Sequence, residues 1–218
     1  MITRDFFLRM IQQLAQVIAK VLKLGSVQQY DAAMEEIQRS SRQLLGMDVL
    51  LLTTLSDEEY VRLFTLGNRF DVEKCVVAGE LLRLVGDVKS QQGEAGKAFQ
   101  CYTTSLSLFL ELLIRESGVL PKEYFDEIEL LIEKATPYEI PVGVQKKLFR
   151  YYETVGRFDK AENFLFEILE QENEIAAEGI RFYERLRVKK DEELERGNLP
   201  RQEVEAGMYE LQIRTKQR

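Results

Sequence analysis

The side chains that most enzymes use for acid–base work and nucleophilic attack are scarce in this chain of 218 residues. Histidine is absent, and the cysteines are limited to Cys75 and Cys101. Two thiolates without histidine cannot complete the four-ligand zinc site of structural domains. Both cysteines lie among apolar residues at helical spacing, where a free thiol packs as a small apolar group. We therefore expect buried, reduced thiols, with no metal and no cofactor.

Residues 93–98 read GEAGKA, a glycine-rich stretch of the kind that binds phosphate in nucleotide-binding loops. Such a loop requires an earlier glycine, a serine or threonine after its lysine, and a preceding strand. Here Gln91 occupies the glycine position, Ala98 follows Lys97, and the sequence predicts no strand before them. The glycines suit a turn between two helices instead. We expect the protein not to be an enzyme; an acid–base pair assembled from distant residues is the enzymatic alternative.

The balance of charge is negative, because 30 basic and 37 acidic residues give a formal charge of −7. Nucleic-acid binding depends on basic side chains that neutralise phosphates, and the chain has no basic block. A membrane-spanning helix needs about 20 consecutive apolar residues, and no run approaches that length. We therefore expect neither a nucleic-acid nor a membrane partner. With no signal peptide and no disulfide framework, we expect a cytoplasmic location.

Apolar residues recur at helical spacing along the whole chain, and the four prolines all fall between the periodic segments. The pattern predicts an all-α fold of about ten helices in a single domain, residues 1–218. The proline-marked connector 136–141, TPYEIP, is a candidate sub-domain boundary within it. The predicted helices span residues 3–24, 29–45, 56–67, 72–92, 94–116, 121–135, 142–155, 158–172, 174–196 and 200–214.

The N-terminal helix, residues 3–24, is amphipathic and has a wide apolar arc that runs from Phe6 to Leu22. Polar side chains such as Gln16 and Lys20 recur every three or four residues along the opposite stripe. An arc of this width predicts contacts on two sides of the helix. These contacts are core packing or oligomer packing, and a homo-oligomer that forms through this helix is a hypothesis that a strict monomer in sedimentation would contradict.

Two stretches of the chain carry the same sparse signature of two helices joined by a turn. In each, a turn glycine, Gly93 or Gly156, is followed five residues later by an alanine and nine residues later by a large apolar residue. The spacing predicts antiparallel helices whose small residue lets their backbones approach closely. The signature resembles the tetratricopeptide repeat, a helix–turn–helix unit that stacks into solenoids. The likeness covers residues 79–106 and 142–169, and more weakly residues 27–41.

A second likeness runs over the whole chain. The stretches RMIQQLAQVIAKVL, LLGMD and LLRLVGD resemble a bacterial family of tetratricopeptide-like helical proteins of unknown function. That resemblance implies the same TPR-like superhelix of α-α hairpins and brings no assigned activity.

In tetratricopeptide-repeat proteins, the first helices of stacked hairpins line a concave groove that holds extended peptides or partner helices. The resemblance therefore implies a protein- or peptide-binding module. Mapped onto this chain, the groove-facing positions are Glu80, Arg83, Asp87, Lys146, Arg150 and Glu153. Asp87 stands where carboxylate-binding members carry asparagine, which argues against a carboxylate clamp. The alternatives are a cytoplasmic peptide-responsive regulator with one deep polar groove, and, more remotely, an enzyme on a helical scaffold.

Overall fold

The computed structural model describes residues 2–67, 69–115 and 123–216 of the chain. The α-helices in these ranges are α1 Ile2–Ser26, α2 Tyr30–Leu45, α3 Asp57–Leu63, α4 Val72–Gln91, α5 Ala95–Arg115, α6 Glu123–Ala135, α7 Val142–Thr154, α8 Phe158–Gln171, α9 Ala176–Arg187, α10 Asp191–Arg196 and α11 Arg201–Lys216. They are joined by two 3-10 helices, Val49–Thr54 and Asn173–Ile175, and by two short strands, β1 Thr65–Leu66 and β2 Arg69–Phe70. The all-α prediction is confirmed. The predicted helix ends at residues 116 and 121, and the side chain of Phe6, lie outside the described residues.

The chain divides into two compact units, Met1–Ile140 and Pro141–Arg218, and the division falls within the connector 136–141. The first unit is arranged around α4, which packs against α1, α2 and α5, while α6 packs against α5. Every residue from Cys75 to Leu82 is buried, so about two turns of α4 have no solvent-facing side. A helix that is buried all round lies in the interior of its unit.

Glycines on one side of α4 let α5 approach it closely. A Cβ atom added at Gly86 would lie 2.5 Å from the ring of Tyr102, and one added at Gly79 would lie 2.8 Å from the ring of Phe109. The hydroxyl of Ser105 donates a buried hydrogen bond of 2.8 Å to the carbonyl oxygen of Gly79. The two helices are therefore held by contacts that leave no room for a larger residue at either glycine.

The turns at Gly93 and Gly156 have the same backbone geometry. Both glycines have positive φ angles, +78° and +75°, in the region that residues with a Cβ atom rarely adopt. The alanines that follow, Ala98 and Ala161, are both buried. The two hairpins, α4–α5 and α7–α8, thus begin from equivalent turns.

The second unit is built from α7 and α8, followed by α9 and α11. Phe149 of α7 meets Phe182 of α9 edge to face, with ring centroids 5.3 Å apart. A Cβ atom added at Gly179 of α9 would lie 2.7 Å from Leu211 of α11 and 2.9 Å from Leu165 of α8. Helix α9 therefore packs against α7, α8 and α11 at once.

The helix predicted over residues 56–67 extends too far. In the structure α3 ends early, and the chain reverses as an antiparallel ribbon in which Thr65 pairs with Phe70. Phe64 and Phe70 are both buried and meet edge to face, with ring centroids 6.5 Å apart. Gly67 has a φ angle of +63° within this reversal. Contact between the two rings requires the chain to turn back, which a continued helix does not allow.

The single helix predicted over residues 174–196 is broken between α9 and α10. At the break Lys190 has an extended backbone, with ψ of 152°. The guanidinium of Arg201 donates hydrogen bonds to the carbonyl oxygens of Arg187, at 2.7 Å, and Lys189, at 2.5 Å. Carbonyls at the end of a helix lack partners within it. Arg201 supplies those partners from further along the chain, so α9 can end without a further helical turn.

Candidate functional site

The charged side chains predicted on the groove side of α4 have partners within the first unit. Arg83 donates hydrogen bonds to Glu80, at 3.0 and 3.2 Å, and to Asp87, at 2.9 Å. From α6, Glu127 forms an ion pair with Arg83, and Lys134 donates to Asp87 at 2.8 Å. The side chain of Arg83 is only 12% exposed. These five residues, the Arg83 cluster, join α4 to α6 and leave Arg83 and Asp87 occupied by internal contacts.

The Arg83 cluster places three carboxylates against two cations. Burial works against the charge of Arg83, but Glu80, Glu127 and Asp87 together raise the pKa of its guanidinium. Burial, followed by repulsion from Glu80, raises the pKa of Glu127 against the opposing attraction of Arg83. Since opposite charges favour ionisation and burial disfavours it, the attraction of Arg83 compensates the negative charge of Glu127 only in part.

Replacing Glu127 with glutamine is expected to stabilise the protein at neutral pH. A raised carboxyl pKa in the folded state means that folding favours the protonated form. The stability that this form contributes is present in full below the unfolded-state pKa and is lost as the pH rises through the raised folded-state pKa. Glutamine imitates the protonated form at every pH, so its advantage should appear at about pH 7 and disappear at about pH 4. Urea unfolding at both pH values measures the difference.

The matched control for this prediction is Glu133→Gln, because Glu133 lies on the exposed side of α6. Its free energy of unfolding should follow that of the wild-type protein at both pH values. A Glu127→Gln protein that is less stable than wild type at neutral pH would contradict the prediction, because it would mean that Arg83 needs the charge of Glu127.

The second set of predicted residues follows one side of α7 in the second unit. Lys146, Arg150 and Glu153 recur there at three- and four-residue spacing. Arg185 of α9 donates to both carboxylate oxygens of Glu153, at 2.6 and 2.9 Å, and to Glu178 at 3.1 Å. These hydrogen bonds to Glu153 raise the pKa of Arg185, against a smaller effect of burial. A bidentate pair of this kind fixes the orientation of the guanidinium.

The side chains on this surface of the second unit form a group that we name the α7–α9 face. Its members are Lys146, Arg150, Glu153, Glu178, Arg181 and Arg185. Arg181 donates to Glu178 at 3.2 Å, and Lys146 forms an ion pair with Glu172 at the end of α8. Arg150 is exposed, and its side chain forms no ion pair with any residue that the structure describes. Its charge is therefore available to an external anion.

Sequence reasoning missed Glu178, Arg181 and Arg185 as members of this face. Glu178 and Arg181 are three residues apart on one helix, which indicates a surface ion pair and nothing about α7. The contact between Arg185 and Glu153 depends on how α9 packs against α7. No local pattern in the sequence carries that information.

The described ranges, 2–67, 69–115 and 123–216, show where the metal-ligating side chains and the thiols lie. They contain no group of three or more cysteines and acidic residues placed to hold a metal ion. Neither cysteine is in a disulfide and both are buried, and burial raises the pKa of Cys101 to about 11. A thiol with a raised pKa is a weak nucleophile at neutral pH. Among the described helices, none is both long and apolar enough to cross a bilayer.

The fold and the site define an all-α protein of antiparallel helical hairpins with an exposed face of charged side chains. The chain belongs to the family of unknown function DUF6483, whose model matches residues 1–216. No curated protein and no solved structure matches the chain. The family description names no activity, so the function has to be argued from the geometry of the site.

Proposed function

We propose that this protein is a helical-repeat module that binds a protein or peptide through the α7–α9 face. The observation that carries the proposal is Arg150, an exposed guanidinium with no ion-pair partner among the described residues. The three arginines and Lys146 of the face meet its own two glutamates and the neighbouring Glu172, so one positive charge is in excess. The chain as a whole is negative. A local excess of positive charge favours a partner that carries carboxylates.

We further propose that the hairpins stack in the manner of tetratricopeptide repeats. In stacked hairpins each repeat packs on its neighbours, so the first helix of a new hairpin contacts the helices of the hairpin before it. Consistent with this, α4 packs against both α1 and α2 in the first unit, and α9 packs against both α7 and α8 in the second. The interval from Val142 to Ala176, the first residues of α7 and α9, equals the 34-residue length of the repeat. In such an arrangement α7 and α9 are successive first helices, and their shared face is the binding side.

Reversing the charge of Arg150 is expected to weaken the binding of an acidic peptide by at least about tenfold. The probe is a fluorescein-labelled peptide of alternating glutamate and alanine, followed by fluorescence anisotropy. We expect saturable binding to the wild-type protein and its loss in Arg150→Glu, because a carboxylate then repels the peptide. Higher salt should weaken the wild-type interaction, since exposed charges are screened.

Arg196→Glu is the control for this experiment, because Arg196 is exposed on α10, outside the α7–α9 face, and its reversal changes the net charge equally. It should bind as wild type does. If both variants weaken binding equally, the effect comes from net charge and not from the position of Arg150. If the wild-type protein does not bind the peptide, an acidic partner is contradicted.

Affinity capture from the native cell with a Lys146→Glu, Arg150→Glu double variant then asks which proteins depend on the face. An unchanged set of captured proteins would exclude these side chains as binding residues.

Self-association, peptide-responsive regulation and a cytoplasmic location stay predictions. Leu22 is 52% exposed, and Ala15 and Ala19 are exposed on the same side of α1, which leaves apolar surface for a second copy of the chain. Sedimentation at micromolar concentration measures whether that copy binds.

A further inference from the structure

A polar groove of about 410 Å³ lies between α1 and α2 in the first unit. Its apolar lining includes Val17 and Leu44, and the side-chain amides of Gln13, Gln16 and Gln43 also line it. All three glutamines are exposed, and none of their amides has a hydrogen-bond partner within the part of the chain that the structure describes, so they are open to an external ligand. Each amide offers N–H donors and a carbonyl acceptor, which are the groups that a peptide bond also presents.

The same groove contains an ion triad with an excess of positive charge. The carboxylate of Glu36 on α2 accepts a hydrogen bond from Arg39 and lies 2.5 Å from Nζ of Lys20 on α1. Burial raises the pKa of Glu36, but the two cations outweigh this effect and lower it, so the carboxylate is ionised at neutral pH. Two cations therefore share one anion, and the triad lacks one negative charge for balance.

We propose that the groove between α1 and α2 binds an extended peptide segment that carries one acidic side chain. The glutamine amides would hydrogen-bond to the main-chain N–H and C=O groups of the peptide. Lys20 and Arg39 would share its carboxylate with Glu36, which completes the charge balance of the triad. A small anion would gain nothing from the exposed amides, and a neutral peptide would leave the positive charge uncompensated. The site goes beyond the α7–α9 face, and neither site depends on the other.

The groove amides themselves provide the test, because selective ¹⁵N labelling makes glutamine side chains visible by nuclear magnetic resonance. The probe is the capped peptide Ala-Ala-Glu-Ala-Ala, titrated beside its Ala-Ala-Lys-Ala-Ala relative and beside acetate. We expect saturable shifts of the Gln13, Gln16 and Gln43 signals with the glutamate peptide. Binding of the lysine peptide and of acetate should be at least about tenfold weaker.

Variants separate this groove from other sites. A Gln13→Ala, Gln43→Ala double variant should weaken the glutamate peptide at least about tenfold. Gln12→Ala should leave binding unchanged, because Gln12 is exposed on α1 and does not line the groove. If the double variant fails to fold, Lys20→Gln serves in its place, since the Lys20 side chain is 52% exposed and its loss should weaken the glutamate peptide selectively.

Four results would overturn the proposal. Flat titrations would mean that no peptide enters the groove. If acetate binds as tightly as the peptide, the groove is an anion site only. Peptide binding that persists in the double variant, or that Arg150→Glu abolishes, would place the peptide elsewhere. The last outcome would at the same time support the α7–α9 face, so failure of one site is distinguishable from failure of the other.

Discussion

Replacing Arg83 with alanine is expected to lower the free energy of unfolding by about 3–5 kcal/mol, the range for breaking a buried ion pair. Without the guanidinium, Glu80, Asp87 and Glu127 remain close together with Lys134 as the other cation of the cluster. The Arg83 side chain is 12% exposed, so water replaces its hydrogen bonds poorly. Urea unfolding followed by circular dichroism measures the loss.

Arg150→Ala is the matched control, because the same substitution on an exposed side chain should change stability by no more than about 0.5 kcal/mol. The cost of Arg83→Ala should also shrink as the pH falls to about 4, because Glu127, whose pKa is raised by burial, becomes protonated and no longer repels its neighbours. An Arg83→Ala protein with wild-type stability and impaired peptide binding would restore Arg83 to the binding role predicted from the sequence.

Replacing Gly86 with alanine is expected to destabilise the protein by about 1–3 kcal/mol, the usual effect of overpacking a core. The new methyl group would lie 2.5 Å from the ring of Tyr102. That ring is held in place, because its hydroxyl donates to Asp87 at 2.8 Å and Nζ of Lys134 lies 4.8 Å from its centroid. Relief of the clash therefore requires α5 to move or these contacts to break. Thermal unfolding measures the change.

Gly96→Ala provides the comparison in α5. Its Cβ atom would meet no neighbour within 4 Å in the described structure, and alanine favours a helix over glycine by about 1 kcal/mol. We therefore expect a gain in stability at Gly96 and a loss at Gly86. A gain at both positions would show that α4 and α5 do not need the close approach that the structure gives them.

Local signals in the sequence located the hairpins well, because the physics that forms them is local. A glycine with positive φ followed by a buried alanine defines each turn, and Gly93 and Gly156 carry that pattern in a few residues. The ribbon after α3 and the break before α10 were not predictable in this way. The first depends on the packing of Phe64 against Phe70, and the second on Arg201, which reaches back to carbonyls at the end of α9.

The candidate site, like the fold, was predictable from the sequence only where the signal is local. Helical spacing predicts Lys146, Arg150 and Glu153 on one side of α7, where the structure has Arg150 exposed and Glu153 bound by Arg185. The same reasoning predicted that Arg83 faces an open groove, but in the structure side chains of α6 lie there and pair with the residues of α4. Spacing along one helix cannot reveal which other helix lies against it, so the second half of each charged network, Glu127 in one unit and Arg185 in the other, had no signal in the sequence.

The positions of Cys75 and Cys101 give the molecule an internal reporter. Both thiols are buried in the first unit, and the second unit contains no cysteine. A thiol-specific reagent can modify them only after part of the first unit opens, so the modification rate follows that opening alone. Comparison of this rate with loss of helical signal from the whole chain would separate the motions of the two units without any substitution.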